Sequence, residues 1–100
     1  MILRMFDTAI VPDDEDEARR LFREQVKPAF DAFEGCHGIE MLIGLEEHSG
    51  GFMDIAAISK WDSVEHIEAA VQSADYTKAL AELKTLFRQT PIVRHFATDT

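Results

Sequence analysis

The segments of this chain that read as β-strands carry apolar side chains on both of their faces, and no other feature constrains the fold as much. Successive strand residues point to opposite sides of a sheet, so a strand with one solvated face alternates apolar and polar. Residues 2–11 break that rule: Ile2, Leu3, Met5, Phe6, Ile10 and Val11 are interrupted by Arg4, Asp7 and Thr8, and both sides of the segment are apolar. Pro12 ends it, because proline cannot donate to a ladder. In residues 52–61, Phe52, Ala56 and Ile58 fall on one face while Met53, Ile55, Ala57 and Trp61 fall on the other. Between these segments Ile39, Met41, Ile43 and Leu45 alternate with Glu40, Leu42, Gly44 and Glu46, and Ser49-Gly50-Gly51 has turn chemistry. Residues 39–61 therefore predict an antiparallel hairpin. Ile92-Val93-Arg94-His95-Phe96-Ala97 reads as a last strand after the stop at Thr90-Pro91.

Two helical stretches separate these strands. Asp13-Asp14-Glu15-Asp16-Glu17 suits the partially positive end of a helix. Neighbours on a helix point in different directions, so the run predicts a solvated helix start rather than a cation site. Ala18, Leu21, Phe22, Val26, Ala29, Phe30 and Phe33 then form one apolar stripe at helical spacing. Pro28 lies inside it, where proline costs roughly 3 kcal/mol. The stripe continues in phase past Pro28, which predicts a kink near Lys27 or two helical pieces end to end. Gly35 suits the left-handed position just beyond a helix. After the hairpin, Asp62 or Ser63 caps a second helix; with Asp62 as the cap, Glu65 completes a capping box. Val64, Ile67, Ala70 and Val71 make its stripe, Ser73-Ala74-Asp75 reads as a break, and Tyr76, Leu80, Leu83, Leu86 and Phe87 resume the pattern.

The order is βαββαβ, an α+β arrangement of the split, ferredoxin-like kind. Crossover handedness puts both helices on one face of the sheet. The other face keeps its apolar residues, and a monomer does not tolerate an exposed apolar sheet of that size. A second copy is the default cover, sheet on sheet about a two-fold axis. Residues 1–100 are expected to form a single domain, since domains run to roughly 100–200 residues. Ten basic against 19 acidic residues give a net charge of −9, which argues against nucleic-acid and membrane-surface partners. No apolar run approaches the ~20 residues of a membrane span. Met1 to Asp7 lacks a secretory pattern, and the lone Cys36 cannot form an internal disulfide, so a cytoplasmic protein is expected.

Glu34-Gly35-Cys36-His37-Gly38-Ile39-Glu40-Met41-Leu42 resembles the turn-and-strand motif of the antibiotic biosynthesis monooxygenase domain, often written Pro-Gly-Cys-x-Gly. Ser59-Lys60-Trp61-Asp62-Ser63-Val64-Glu65-His66-Ile67 is similar to that family's strand-to-helix corner, and Ser73-Ala74-Asp75-Tyr76 sits at its helix break. The resemblance implies a homodimeric α+β barrel with a small cavity between sheet and helices in each subunit. It also implies oxygenases that oxidise quinols or anthrones without metal or flavin, haem-degrading enzymes, or proteins of unassigned activity. The haem-degrading branch uses an asparagine on the first strand and a tryptophan and a histidine on the second helix. The matching positions are Phe6, Ala70 and Leu80, none of which can coordinate iron, so haem degradation is not expected.

The candidate catalytic residues are Asp54, His95, Trp61 and Tyr76. A carboxylate at Asp54, among Phe52, Met53 and Ile55, is either a base with a raised pKa or half of an ion pair with Arg4 on the neighbouring strand. Neutral histidines are suitable bases near pH 7, and His95 on the last strand could face the dimer or the cavity. His37 and His48 are expected in exposed turns and His66 off its helix's stripe. Trp61 either walls a cavity or packs the second helix on the sheet. Tyr76 either points its hydroxyl into the cavity or packs in the core. Phe6, Met41, Ile58 and Arg4 are the expected cavity lining for a small apolar or aromatic ligand. No histidine pair has metal-binding spacing, and no phosphate loop, Gly-x-Ser-x-Gly or Cys-x-x-Cys occurs, so neither metal nor cofactor is expected. Three functions fit: an oxygenase on an electron-rich aromatic or quinol, a non-catalytic dimeric ligand binder, and an isomerase or lyase, which needs a histidine in the cavity.

Overall fold

The computed structural model describes residues 1–46 and 50–99. Strands β1 (Ile2–Ile10), β2 (Cys36–Ile43), β3 (Met53–Trp61) and β4 (Ile92–Ala97) form one antiparallel sheet in the order β2-β3-β1-β4. Helices α1 (Glu15–Leu21) and α2 (Lys27–Ala32) fill the first crossover, α3 (Val64–Val71) and α4 (Ala74–Leu80) the second. This is the α+β, ferredoxin-like arrangement that the element order predicts. Ile10, Ile39, Ile55 and Trp61 from the sheet pack with Leu21, Phe22, Val26, Phe30, Ile67, Leu80 and Leu83 in a single core, so the helices share one face.

The proline in the first stripe acts one turn ahead of itself. Residues Phe22–Val26 form a π-helical turn in which the Lys27 N–H donates to the Phe22 carbonyl, five residues back. Pro28 has no N–H to donate, and its ring crowds the carbonyl four residues earlier. Widening the preceding turn by one residue relieves that crowding without a sharp bend, and Pro28 then sits in the first turn of α2, where it is tolerated. Leu21 before the turn and Phe30 after it both stay in the core.

Register decides which strand residues face the helices. Arg4 pairs with Ser59 on β3 and with His95 on β4; Phe6 pairs with Ala57 and Val93. The opposite face carries Leu3 and Met5 beside Ile58, Ile92 and Phe96, with Asp7, Asp54, Lys60 and Arg94 among them. Leu42, Ile92 and Phe96 are 41%, 54% and 47% exposed. All of β4 is exposed, because the helices cover β1, β2 and β3 and stop short of it.

Several boundaries differ from the sequence pattern. β2 starts at Cys36, three residues before the alternation, through a bulge between Cys36 and Ile39. Its ladder ends at Ile43, so Leu45 is 92% exposed rather than inward. The cap of α3 is Ser63, whose Oγ accepts from the His66 N–H at 3.2 Å; Asp62 pairs elsewhere and no Asp62–Glu65 capping box forms. The second stripe breaks again after Leu80, into a 3-10 turn at Leu83–Leu86. His48 and Ser49 of the expected turn lie outside the described residues.

The α2-to-β2 turn depends on Gly35. Its φ is +78°, and a Cβ there would run into the ring of His66 on α3. Gly35→Ala is expected to lose about 2 kcal/mol or more of stability from left-handed strain plus the clash. In urea denaturation, adding His66→Ala should recover the part of the loss caused by the ring and leave the strain and the contact with the remaining Cβ. Equal losses in the single and double variants would refute the packing account.

Candidate functional site

A cavity lies between the sheet and the helices. Arg4 and Phe6 of β1, Ile39 and Met41 of β2, and Ile55, Ala57 and Ser59 of β3 form one wall. Phe22 and Val26 of the π turn, Phe30 of α2, Tyr76 and Leu80 of α4, Leu83 and Phe87 form the other. About 510 Å³ between these walls is free of atoms, part of it open to solvent, but only about 40 Å³ is wide enough for the centre of a water molecule. The space is a narrow slot with mostly apolar walls. The tilted Phe6–Phe87 pair, 5.6 Å between ring centres, belongs to its lining.

Three of these lining residues have polar side chains: Arg4, Ser59 and Tyr76. The break between α3 and α4 positions the tyrosine. Ser73 caps α4, its Oγ accepting from the Tyr76 N–H at 3.2 Å while donating to the Ala70 carbonyl at 2.6 Å. Tyr76 therefore sits in the first turn of α4, its ring 5.8 Å from that of Phe30. Arg4 reaches it from the sheet. Its Nη2 donates to the Tyr76 hydroxyl at 3.1 Å, and its guanidinium carbon lies 5.7 Å from the centre of the tyrosine ring. The Arg4 Nε is buried and has no hydrogen-bond partner. Ser59, directly across from Arg4, accepts from the Trp61 indole N–H at 2.8 Å.

Of the residues expected at the site, Arg4, Phe6, Met41 and Tyr76 line this cavity. Ile58 does not: strand parity puts it on the far face of the sheet, beside Met5. Asp54 is on that far face too, opposite Ala9, so the proposed Asp54–Arg4 ion pair does not form. Trp61 is fully buried outside the lining, packed against Phe30 and Phe33 at 6.1 and 6.2 Å, and plays the packing role. His95 shares Arg4's face but lies on the bare edge strand, exposed. Ser59 was missed, although a serine at an inward position of an apolar strand is itself a signal. Phe6 and Leu80, two of the positions matched to haem ligands, supply only apolar wall.

A second polar group lies at the β3-to-α3 corner, away from the cavity. His37 Nε2 and Asp62 Oδ1 are 2.6 Å apart, and that hydrogen bond holds the Asp62 carboxyl below its usual range. His66 Nδ1 lies 2.7 Å from the Ser63 Oγ. Burial pushes the Cys36 thiol up, which makes it a poor nucleophile. Among the described residues no group of three or more His, Cys, Asp or Glu is placed to hold a metal ion, and no helix is long and apolar enough to cross a membrane.

The sequence pattern of the family described as antibiotic biosynthesis monooxygenase matches residues 1–82. No protein of curated function matches the sequence. Solved structures do match the fold. A Bordetella bronchiseptica protein named for the same family is 20% identical, with a TM-score of 0.80 over 99% of this chain and 97% of that one. Another antibiotic biosynthesis monooxygenase is 16% identical, with a TM-score of 0.77 over the whole of both chains. A single-residue variant of SnoaB, a cofactor-independent oxygenase of Streptomyces nogalater, is 15% identical, with a TM-score of 0.73 over 99% and 94%.

The lowered Asp62 value sets a pH test. Its contribution to stability is complete above the ordinary carboxylate value of 3.8 and is lost as pH falls through the lower folded value. Asp62 is exposed, so the effect is small. The difference in melting temperature between the protein and Asp62→Ala should shrink as pH falls below about 4. A difference that grows on acidification contradicts this.

Proposed function

We propose that this chain, which belongs to the antibiotic biosynthesis monooxygenase family, is a cofactor-independent monooxygenase acting on a small electron-rich phenol or anthrone held in the cavity between sheet and helices. The observation that carries the reading is the apolar slot closed by one polar pair, Arg4 and Tyr76. Apolar walls strip water from a flat ring, and a single polar end fixes its orientation. In the reaction, the ionised substrate gives one electron to O2. The resulting radical pair joins at the activated ring carbon, and the peroxide loses water. A C–H carbon becomes a carbonyl, one oxygen atom stays in the product, and the other leaves in water.

The chain's own contribution is desolvation and placement. Among the described residues no histidine or carboxylate lines the cavity, which speaks against an isomerase or lyase and against Asp54 or His95 as a base in this reading. The same observation favours a second reading, a ligand-binding protein without catalysis. Oxygen uptake with alkylated phenols, 1-naphthol and anthrone separates the two. The expected result is one O2 consumed per carbonyl formed without accumulation of hydrogen peroxide, and at least a ten-fold loss in Tyr76→Phe or Arg4→Met. Binding with uptake no faster than in buffer would establish the second reading.

The open sheet face belongs to a homodimer in this proposal. Half-exposed Leu42, Ile92 and Phe96, and an edge strand bare on both sides, support it. Sedimentation at micromolar concentration should give twice the 11.3 kDa chain mass, and Phe96→Asp should shift it to the monomer. A monomeric parent protein would refute the dimer.

A further inference from the structure

We infer that the cavity takes its aromatic ligand as an oxyanion, a phenolate already ionised, with the oxygen held between the Arg4 Nε–H and the Tyr76 hydroxyl. This rests on the reading of the cavity as a substrate site.

Three observations carry it. First, Arg4 is a permanent cation with no carboxylate beside it. Among the described residues it forms no ion pair, although the chain carries 19 acidic residues. Asp7 and Asp54, the nearest acids in the ladder, are on the other face of the sheet. A guanidinium keeps its proton at any ordinary pH, and Arg4 has no protein carboxylate to balance it, so an anion entering the cavity would supply the missing counter-charge. Second, its Nε–H is buried without an acceptor. The tyrosine ring compensates part of the charge, but its hydroxyl takes up only the Nη2 donor. An orphaned charged donor is costly, and a ligand oxygen would satisfy it.

Third, Tyr76 is left with a proton to give. Its oxygen accepts from Arg4, and among the described residues its own O–H donates to nothing. Two donors with no protein acceptor therefore meet at one end of an apolar slot. A neutral phenol would bring a third donor to that place, whereas a phenolate brings only lone pairs. Across the ladder from Arg4 on β4 is His95, which brings no negative charge in either protonation state. Binding as the anion also explains how a cavity without a base can serve this chemistry: Arg4 shifts the substrate's own ionisation.

The test is binding of 4-nitrophenol under anaerobic conditions, read by the yellow absorbance of its phenolate. This dye is electron-poor, so the measurement does not depend on oxidation. Bound dye should be yellow at a pH where free dye is mostly colourless. Its ionisation midpoint should fall by about one pH unit or more, equivalent to ten-fold tighter binding of the anion. Nitrobenzene, of the same shape but neutral, should bind at least ten-fold more weakly. Arg4→Met should abolish the shift, Arg4→Lys should retain part of it, and Tyr76→Phe should reduce it. Colourless bound dye, equal affinity for nitrobenzene, or no spectral change at saturating dye would overturn the inference, and these need only the unaltered protein. Oxygen uptake failing while the midpoint shift holds would remove the monooxygenase reading and leave the anion site standing.

Discussion

The guanidinium of Arg4 is, among the described residues, the charge that faces the cavity between sheet and helices, and the polar half of that cavity is arranged by it. β1 is a central strand, flanked by β3 and β4, so a residue on its helix side is covered on two sides by neighbours in the same row. Ser59 and His95 are those neighbours, and Tyr76 comes down from α4 to meet Arg4. The row runs from a buried serine–tryptophan hydrogen bond, through a half-buried cation, to a histidine in solvent. Polarity is thereby confined to one end of a space whose other walls are aliphatic and aromatic.

Two irregularities in the helices shape that space. The π turn forced by Pro28 presents Phe22 and Val26 to the cavity, and the Ser73 cap restarts the second helical stretch so that Tyr76 falls in its first turn. A regular helix through either segment would rotate these side chains by a large fraction of a turn. Both irregularities answer a local backbone need: a missing N–H in one case, free N–H groups at a helix start in the other. Their functional effect lies in the side chains they redirect.

The far face of the sheet follows a different logic. Its apolar residues are interleaved with Asp7, Asp54, Lys60 and Arg94, a mixed surface rather than a continuous apolar one. Such a surface can bury its apolar members against a partner while its charges pair at the rim. The bare edge strand β4 extends the same opening around the side of the sheet.

Much of the fold was legible in the sequence. Runs and periodic patterns of apolar residues locate every strand and both helical stretches, and resemblance and position put Phe6, Met41 and Arg4 in the cavity while leaving Tyr76 between cavity and core. Those patterns are set by which side chains are apolar, a property each residue carries with it. What the pattern could not assign was the side of the sheet to which each polar residue belonged, since parity depends on register with the neighbouring strand. Asp54 and Ile58 therefore looked like cavity residues until pairing with Ala9 and Met5 placed them on the far face, while Ser59 went unnoticed on the inner one. The meeting of Arg4 with Tyr76, 72 positions apart, was likewise decided only by the packing of α4 over β1, because convergence in space is a property of the assembled layers and not of any local stretch.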